Sequence, residues 1–240
     1  MSRIDVLGVG FDNIRIREAV EVALGLMQEK RAAYVVTPNP EIVLEAGKNK
    51  NLRRAVNKAD LVLADGIGVI YASKILGTPI GRKIPGIDFA SALMARMSDG
   101  HMSVFLLGAK PGVAEAAAYN LSEKYPGLVI AGTNDGYFED NGAVIDKINA
   151  AQPDFLMVCL GFPKQELWMM NNAEKLKVGL MAGLGGSLDV FAGVVERAPK
   201  KWQDMGLEWL YRLIKEPKRI TRMIKLPLIL IKAAYKRLFG

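Results

Sequence analysis

One cysteine and one histidine in 240 residues set the first limits on this chain. A lone cysteine builds neither a disulfide framework nor a zinc cluster, and Cys159, inside the apolar run at 155–160, reads as a buried strand thiol. His101 stands in a polar turn before a strand and reads as a surface residue, which argues against a histidine-based metal site and a Ser-His-Asp triad. No stretch reaches the roughly 18 to 20 apolar residues that span a bilayer. The opening Met1-Ser2-Arg3-Ile4-Asp5 shows no basic segment followed by a long apolar one, so no secretory leader is expected and the chain is placed in the cytoplasm. No G-x-x-x-x-G-K-[ST] motif occurs. In Gly8-Val9-Gly10-Phe11-Asp12-Asn13, Asn13 stands where a dinucleotide fingerprint needs its third glycine, which disfavours a nucleotide-dependent oxidoreductase.

What is present is a chain half apolar, long enough for one large domain or a domain with an appendage. The formal charge of +7 is unevenly spread: from Lys200 onward there are eleven basic residues against three acidic ones, so residues 1–199 are close to neutral. The composition divides the chain into an α/β core at 1–199 and a basic, amphipathic, helical appendage at 200–240. In the appendage Trp202, Leu207, Trp209, Leu210, Leu213 and Ile214 recur at helical spacing, and Pro217 and Pro227 are expected to cut it into about three short helices.

Along the core, residues 4–10 read as a strand, 16–29 as a helix and 32–37 as a strand stopped by Pro38. Asn39-Pro40 is an N-cap and first-position pair opening a helix to about residue 57. Residues 60–64 form an apolar strand ending at Asp65-Gly66, with a helix after it. Further strands at 103–107, 128–131, 154–160 and 178–182 alternate with helical patterns. Repeated strand–helix alternation requires crossovers, so the expected fold is α/β: a doubly wound, mostly parallel sheet with helices on both faces.

Ligands of such sheets sit outside the carboxyl ends of the strands. Five loops fall there: Thr37-Pro38-Asn39, Asp65-Gly66, residues 108–112, residues 161–166 and residues 185–189. Asp65 has two readings on its own residues, a carboxylate projecting into the crevice or the N-cap of the helix from about Ile67. Asn39 likewise reads as a cap, Gln165 and Glu166 as first-turn residues, and Asp189 as the closure of a turn.

Taken in order, Thr37-Pro38-Asn39, Asp65-Gly66, Gly161-Phe162-Pro163-Lys164-Gln165-Glu166, Gly185-Gly186-Ser187-Leu188-Asp189, Arg197-Ala198-Pro199 and Glu216-Pro217-Lys218-Arg219 resemble the WecG/TagA/CpsF family of glycosyltransferases over about residues 4–225. That resemblance implies an inverting, metal-independent enzyme without cofactor. Its UDP-sugar donor would be UDP-N-acetylmannosamine, or the corresponding uronic acid in a sister activity. Its acceptor would be a polyprenyl-diphosphate-GlcNAc, joined through a β-1,4 linkage in teichoic acid linkage-unit synthesis. It implies Asp65 as general base, Thr37 and Asn39 as positioners of substrate hydroxyls and Gln165 as a donor contact. Arg212, Arg219 and Arg222 would stabilise the departing diphosphate. Lys83 stands where the family usually carries arginine, keeping the charge without the bidentate fork; Gly108, Glu166 and Asp189 complete the expected substrate-binding set.

A lipid acceptor also implies peripheral contact with the anionic inner face of the membrane, which the basic tail and the apolar run at 226–231 suit. Charge alone would equally fit a nucleic-acid binder, a reading the lipid acceptor displaces. An apolar tail is sheltered as readily in a homo-oligomer as in a bilayer.

Overall fold

The computed structural model describes residues 3–215, 217 and 224–239. It begins with a hairpin, β1 (Ile4–Val6) and β2 (Val9–Phe11), where the sequence reads a single strand. Leu7 and Gly8 take φ of 56° and 92°, the left-handed pair that closes a tight two-residue turn, and the Asp5 carboxylate accepts the Gly8 N–H at 3.0 Å. The hairpin forms its own two-stranded sheet.

The main sheet has six strands: β3 (Ala33–Val36), β4 (Leu61–Val62), β5 (Ser103–Gly108), β6 (Val129–Asn134), β7 (Phe155–Cys159) and β8 (Leu180–Gly183). They are joined in the order β4-β3-β8-β7-β5-β6, every pairing parallel. Successive side chains alternate between two cores. From β5, Val104 and Leu106 point to one face, covered by α1 (Ile16–Gln28), α5 (Gly86–Asp99), α6 (Val113–Lys124) and α9 (Ser187–Phe191). Phe105 and Leu107 point to the other, covered by α2 (Pro40–Ala46), α3 (Lys50–Lys58), α4 (Ile67–Ile75), α7 (Asn141–Ala151) and α8 (Lys164–Asn172). Burial on both faces is why these strands are continuous apolar runs. The expected doubly wound α/β architecture is the observed one.

Asn39 caps α2 as its sequence predicts, its side-chain oxygen accepting the Ile42 N–H at 3.0 Å with Pro40 in the first position. The expected single helix at 40–57 is instead two. Asn49 supplies a second cap, accepting the Leu52 N–H at 3.1 Å, so the chain turns between Ala46 and Lys50 although the apolar periodicity runs through.

The carboxyl-terminal part forms α10 (Lys200–Asp204), α11 (Glu208–Lys215) and α12 (Lys225–Phe239). Pro227 does not cut the last of these. It sits in the first turn, where a helical N–H has no intrahelical partner to lose. Ile229 and Ala233 are 0% exposed and belong to the core that holds α2 and α4, so one face of α12 is docked on the sheet's outer layer. Gly68 of α4 makes the approach feasible: a Cβ there would collide with Leu226 and lie 2.7 Å from Pro40 Cγ. The opposite face leaves Leu228, Ile231, Tyr235, Leu238 and Phe239 exposed. Among the described residues no helix is long and apolar enough to cross a membrane.

Candidate active site

The parallel sheet brings several of the expected loops to its carboxyl edge. Asp65 follows β4, Thr37 follows β3, Gly183 ends β8 and Gly185 follows it, Gly161 follows β7, and Gly108 ends β5. Asp65 is half-buried. Its N–H donates to Pro38 O at 3.1 Å, and its Oδ2 accepts the N–H of Gly86, first residue of α5, at 3.5 Å. The residue preceding α4 is Gly66, with φ of 94° and no side-chain cap. Asp65 therefore faces the start of α5 instead of capping its own helix.

Thr37 is buried and its hydroxyl donates to Gly183 O at 3.1 Å. A Cβ on Gly86 would lie 3.1 Å from both Thr37 Oγ1 and Leu184 Cδ2. Thr37, Asp65 and the β8 loop thus converge around Gly86. Asn39 adjoins them, with its oxygen committed to the α2 cap and its amide hydrogens donating to no group among the described residues.

Gln165 and Glu166 are buried at 3% and 0% exposure. Gln165 Oε1 accepts the Gly185 N–H at 3.0 Å while its Nε2 donates to Glu166 Oε1 at 2.8 Å. Its amide thus braces the loop after β8 from beneath. Glu166 Oε2 has no hydrogen-bond partner among the described residues. Desolvation pushes the Glu166 carboxyl up to about 7, against the opposing pull of the Gln165 hydrogen bond.

That raised value has a definite sign. The folded state holds the proton more tightly than the unfolded chain, so Glu166 contributes stability fully below its ordinary value of 4.5 and loses it as pH rises through about 7. The loss is on the order of 3 kcal/mol at about 1.4 kcal/mol per unit. Urea melts between pH 4.5 and 7 are expected to show this decline in the parent protein and a flatter profile in Glu166→Gln. Parallel profiles would mean that Glu166 is solvated in solution.

Gly108 has a packing reason for being glycine: with φ of 132°, a Cβ would strike the Cys159 backbone across the β5–β7 pairing. Asp189 lies half-buried in the first turn of α9. Arg212 lies in α11 with its side chain outside the described residues, as are Arg219 and Arg222 altogether.

Lys83, expected to bind substrate, lines the cleft described below and is also engaged within the protein. Its Nζ lies 3.2 Å from Glu208 Oε2 and 3.4 Å from Gln203 O. Arg197 grips Asp88 through two bonds, at 2.5 and 2.9 Å, and reaches Glu208 Oε1 at 3.4 Å. These ties fasten residues 197–208 across the loop before α5. Beside them opens a cleft of about 580 Å³, bounded by Arg15 and Arg17 at the start of α1, residues 82–85, and α10. The sequence reading missed Arg15, Arg17, Asp88 and Glu208 because each looks like an ordinary charged residue of a helix start. Among the described residues no three His, Cys, Asp or Glu side chains are placed to share a metal ion.

An open parallel sheet with a carboxylate, a threonine and a cation-lined cleft at its carboxyl edge is the build of an α/β transferase. The chain belongs to the WecG/TagA/CpsF family of glycosyl transferases, whose sequence model matches residues 4–240. It is 37% identical over 236 residues to the N-acetylglucosaminyldiphosphoundecaprenol N-acetyl-beta-D-mannosaminyltransferases of Staphylococcus aureus strains MW2 and NCTC 8325 / PS 47, covering 97% of this chain and 92% of each relative.

Proposed function

We propose that this glycosyltransferase moves N-acetylmannosamine from UDP-N-acetylmannosamine to GlcNAc-diphospho-undecaprenol, building the teichoic acid linkage unit. The observation that carries the reading is the nearly full-length similarity to relatives bearing that activity in their names.

In this reading Asp65 is the general base. It takes the proton from the acceptor hydroxyl as that oxygen attacks the anomeric carbon from the face opposite the diphosphate, and UDP leaves with inversion. Thr37 and Asn39 orient substrate hydroxyls from either side of Pro38. Gln165 acts from below, holding the Gly183–Gly185 backbone where the donor lies, and Gly108, Glu166 and Asp189 support the same rim. Charge developing on the departing diphosphate needs cationic partners, a role assigned to Arg212, Arg219 and Arg222. The outward face of α12, with Ile231, Tyr235, Leu238 and Phe239 beside Lys232, meets the anionic membrane that holds the acceptor.

The test is direct. Incubated with UDP-N-acetylmannosamine and a GlcNAc-diphospho-lipid without added metal, the protein is expected to release UDP and form a disaccharide-lipid. Product only with the corresponding uronic acid donor would reassign the sugar, and product with neither would overturn the reading.

A further inference from the structure

The cleft beside the Asp65 loop contains more positive charge than its own carboxylates neutralise. Three of its cations are matched: Arg197 by Asp88, Lys83 by Glu208, and Lys200 by Asp204 at 2.9 Å. Arg15, Arg17 and Arg82 line the same cleft, are exposed, and pair with no carboxylate among the described residues.

Their placement is unfavourable on its own. Arg15 is the N-cap of α1 and Arg17 its second residue, at the end of a 13-residue helix where unpaired N–H groups already concentrate positive charge. Glu18, the acidic residue of that first turn, accepts the Arg15 backbone N–H at 2.7 Å. A second helix start, that of α5 at Pro85, opens on the same cleft. Two helix amino ends and three guanidinium groups without a carboxylate partner around one cleft raise its positive potential, although Asp88 stands in the first turn of α5, and so favour an anion there. Guanidinium forks and helix amino ends both match phosphate oxygens, and about 580 Å³ admits far more than one phosphate.

We propose that this cleft is a diphosphate-binding site, with Arg15, Arg17 and Arg82 gripping the phosphate oxygens. Its position relates it to the chemistry. Ile84 and Pro85 line the cleft, Ile84 N–H donates to Ala64 O at 2.8 Å, and the next residue, Gly86, donates to Asp65. A sugar carried on a diphosphate held here reaches the Asp65 loop. What carries the diphosphate rests on the transferase reading, in which both the nucleotide donor and the lipid-linked acceptor bear one.

Titration of the whole chain with inorganic pyrophosphate at low salt tests the site without turnover. Saturable binding is expected, weakened about tenfold or more in Arg82→Gln and in the double variant Arg15→Gln/Arg17→Gln. Lys58→Gln, an exposed cation of α3, is expected to bind like the parent. Circular dichroism melts confirm that the variants fold.

Displacement by UDP identifies the donor as the source of the diphosphate, and displacement by a short soluble prenyl diphosphate identifies the acceptor. Pyrophosphate displaced by neither, absent binding, or arginine variants that bind like the parent would each overturn the assignment. A protein that binds pyrophosphate through these arginines yet forms no disaccharide-lipid refutes the transfer reading alone. Undiminished transfer and binding after the arginines are replaced refutes the site alone.

Discussion

Asp65→Asn is expected to lower turnover by about 10²-fold or more, in the range seen when a positioned general base is removed, while the melting temperature stays near that of the parent. The argument is one of shape against proton affinity. Asparagine fills the same volume and its side-chain oxygen still accepts the Gly86 N–H, so the contact between the β4 loop and α5 survives. What it loses is the capacity to take a proton from an attacking hydroxyl. Substrate affinity should change far less than turnover, because a base acts on the transition state. Turnover near that of the parent would mean that Asp65 is not the base. A coupled fall in melting temperature and turnover would make it a structural residue.

The alternation of apolar runs with helical patterns made the parallel sheet legible, since burial on both faces leaves a signal that short strands cannot hide. Even β4, two residues long, was marked by the apolar run that ends at Asp65. The ordering of loops at the carboxyl edge followed from the same alternation, which is why Thr37 and Asp65 emerge as neighbours. Three kinds of information were not legible. Turn geometry at Leu7-Gly8 and the cap at Asn49 are decided by one or two residues, and each overrides a periodicity that looks continuous.

The pairing of Lys83 with Glu208 joins distant parts of the chain, and no local pattern announces it. Buried polar bonds are equally silent. Gln165 looks in sequence like a free first-turn side chain, yet its amide is held between Gly185 and Glu166. The resemblance to a family supplied roles for residues, whereas the structure supplies which of their atoms are already engaged.

The carboxyl-terminal helix offers the largest effect on stability. Ile229→Ala is expected to cost about 2–5 kcal/mol, the range for truncating a fully buried isoleucine, since Ile229 is 0% exposed in the core shared with α2 and α4. Ile231→Ser, two residues on but 65% exposed, should shift stability by no more than about 0.5 kcal/mol. If the outward face meets the membrane, it should instead weaken binding to anionic vesicles. Denaturant melts and vesicle sedimentation on both variants separate the two faces of one helix; equal stability losses would mean that α12 is not docked as described. The same logic bears on a chain ending at Pro199. It would lack Leu226, Ile229 and Ala233 together, exposing the surfaces of α2 and α4 that they cover, so it is expected to melt well below the whole chain. Because Leu226 presses on Gly68, three residues beyond Asp65, loss of α12 also frees the amino end of α4. Activity lost on truncation would therefore combine the absence of the proposed arginines, the loss of Gln203 and Glu208 as partners of Lys83 and Arg197, and a loosened Asp65 loop; Ile229→Ala isolates the last because it leaves the arginines, Gln203 and Glu208 in place.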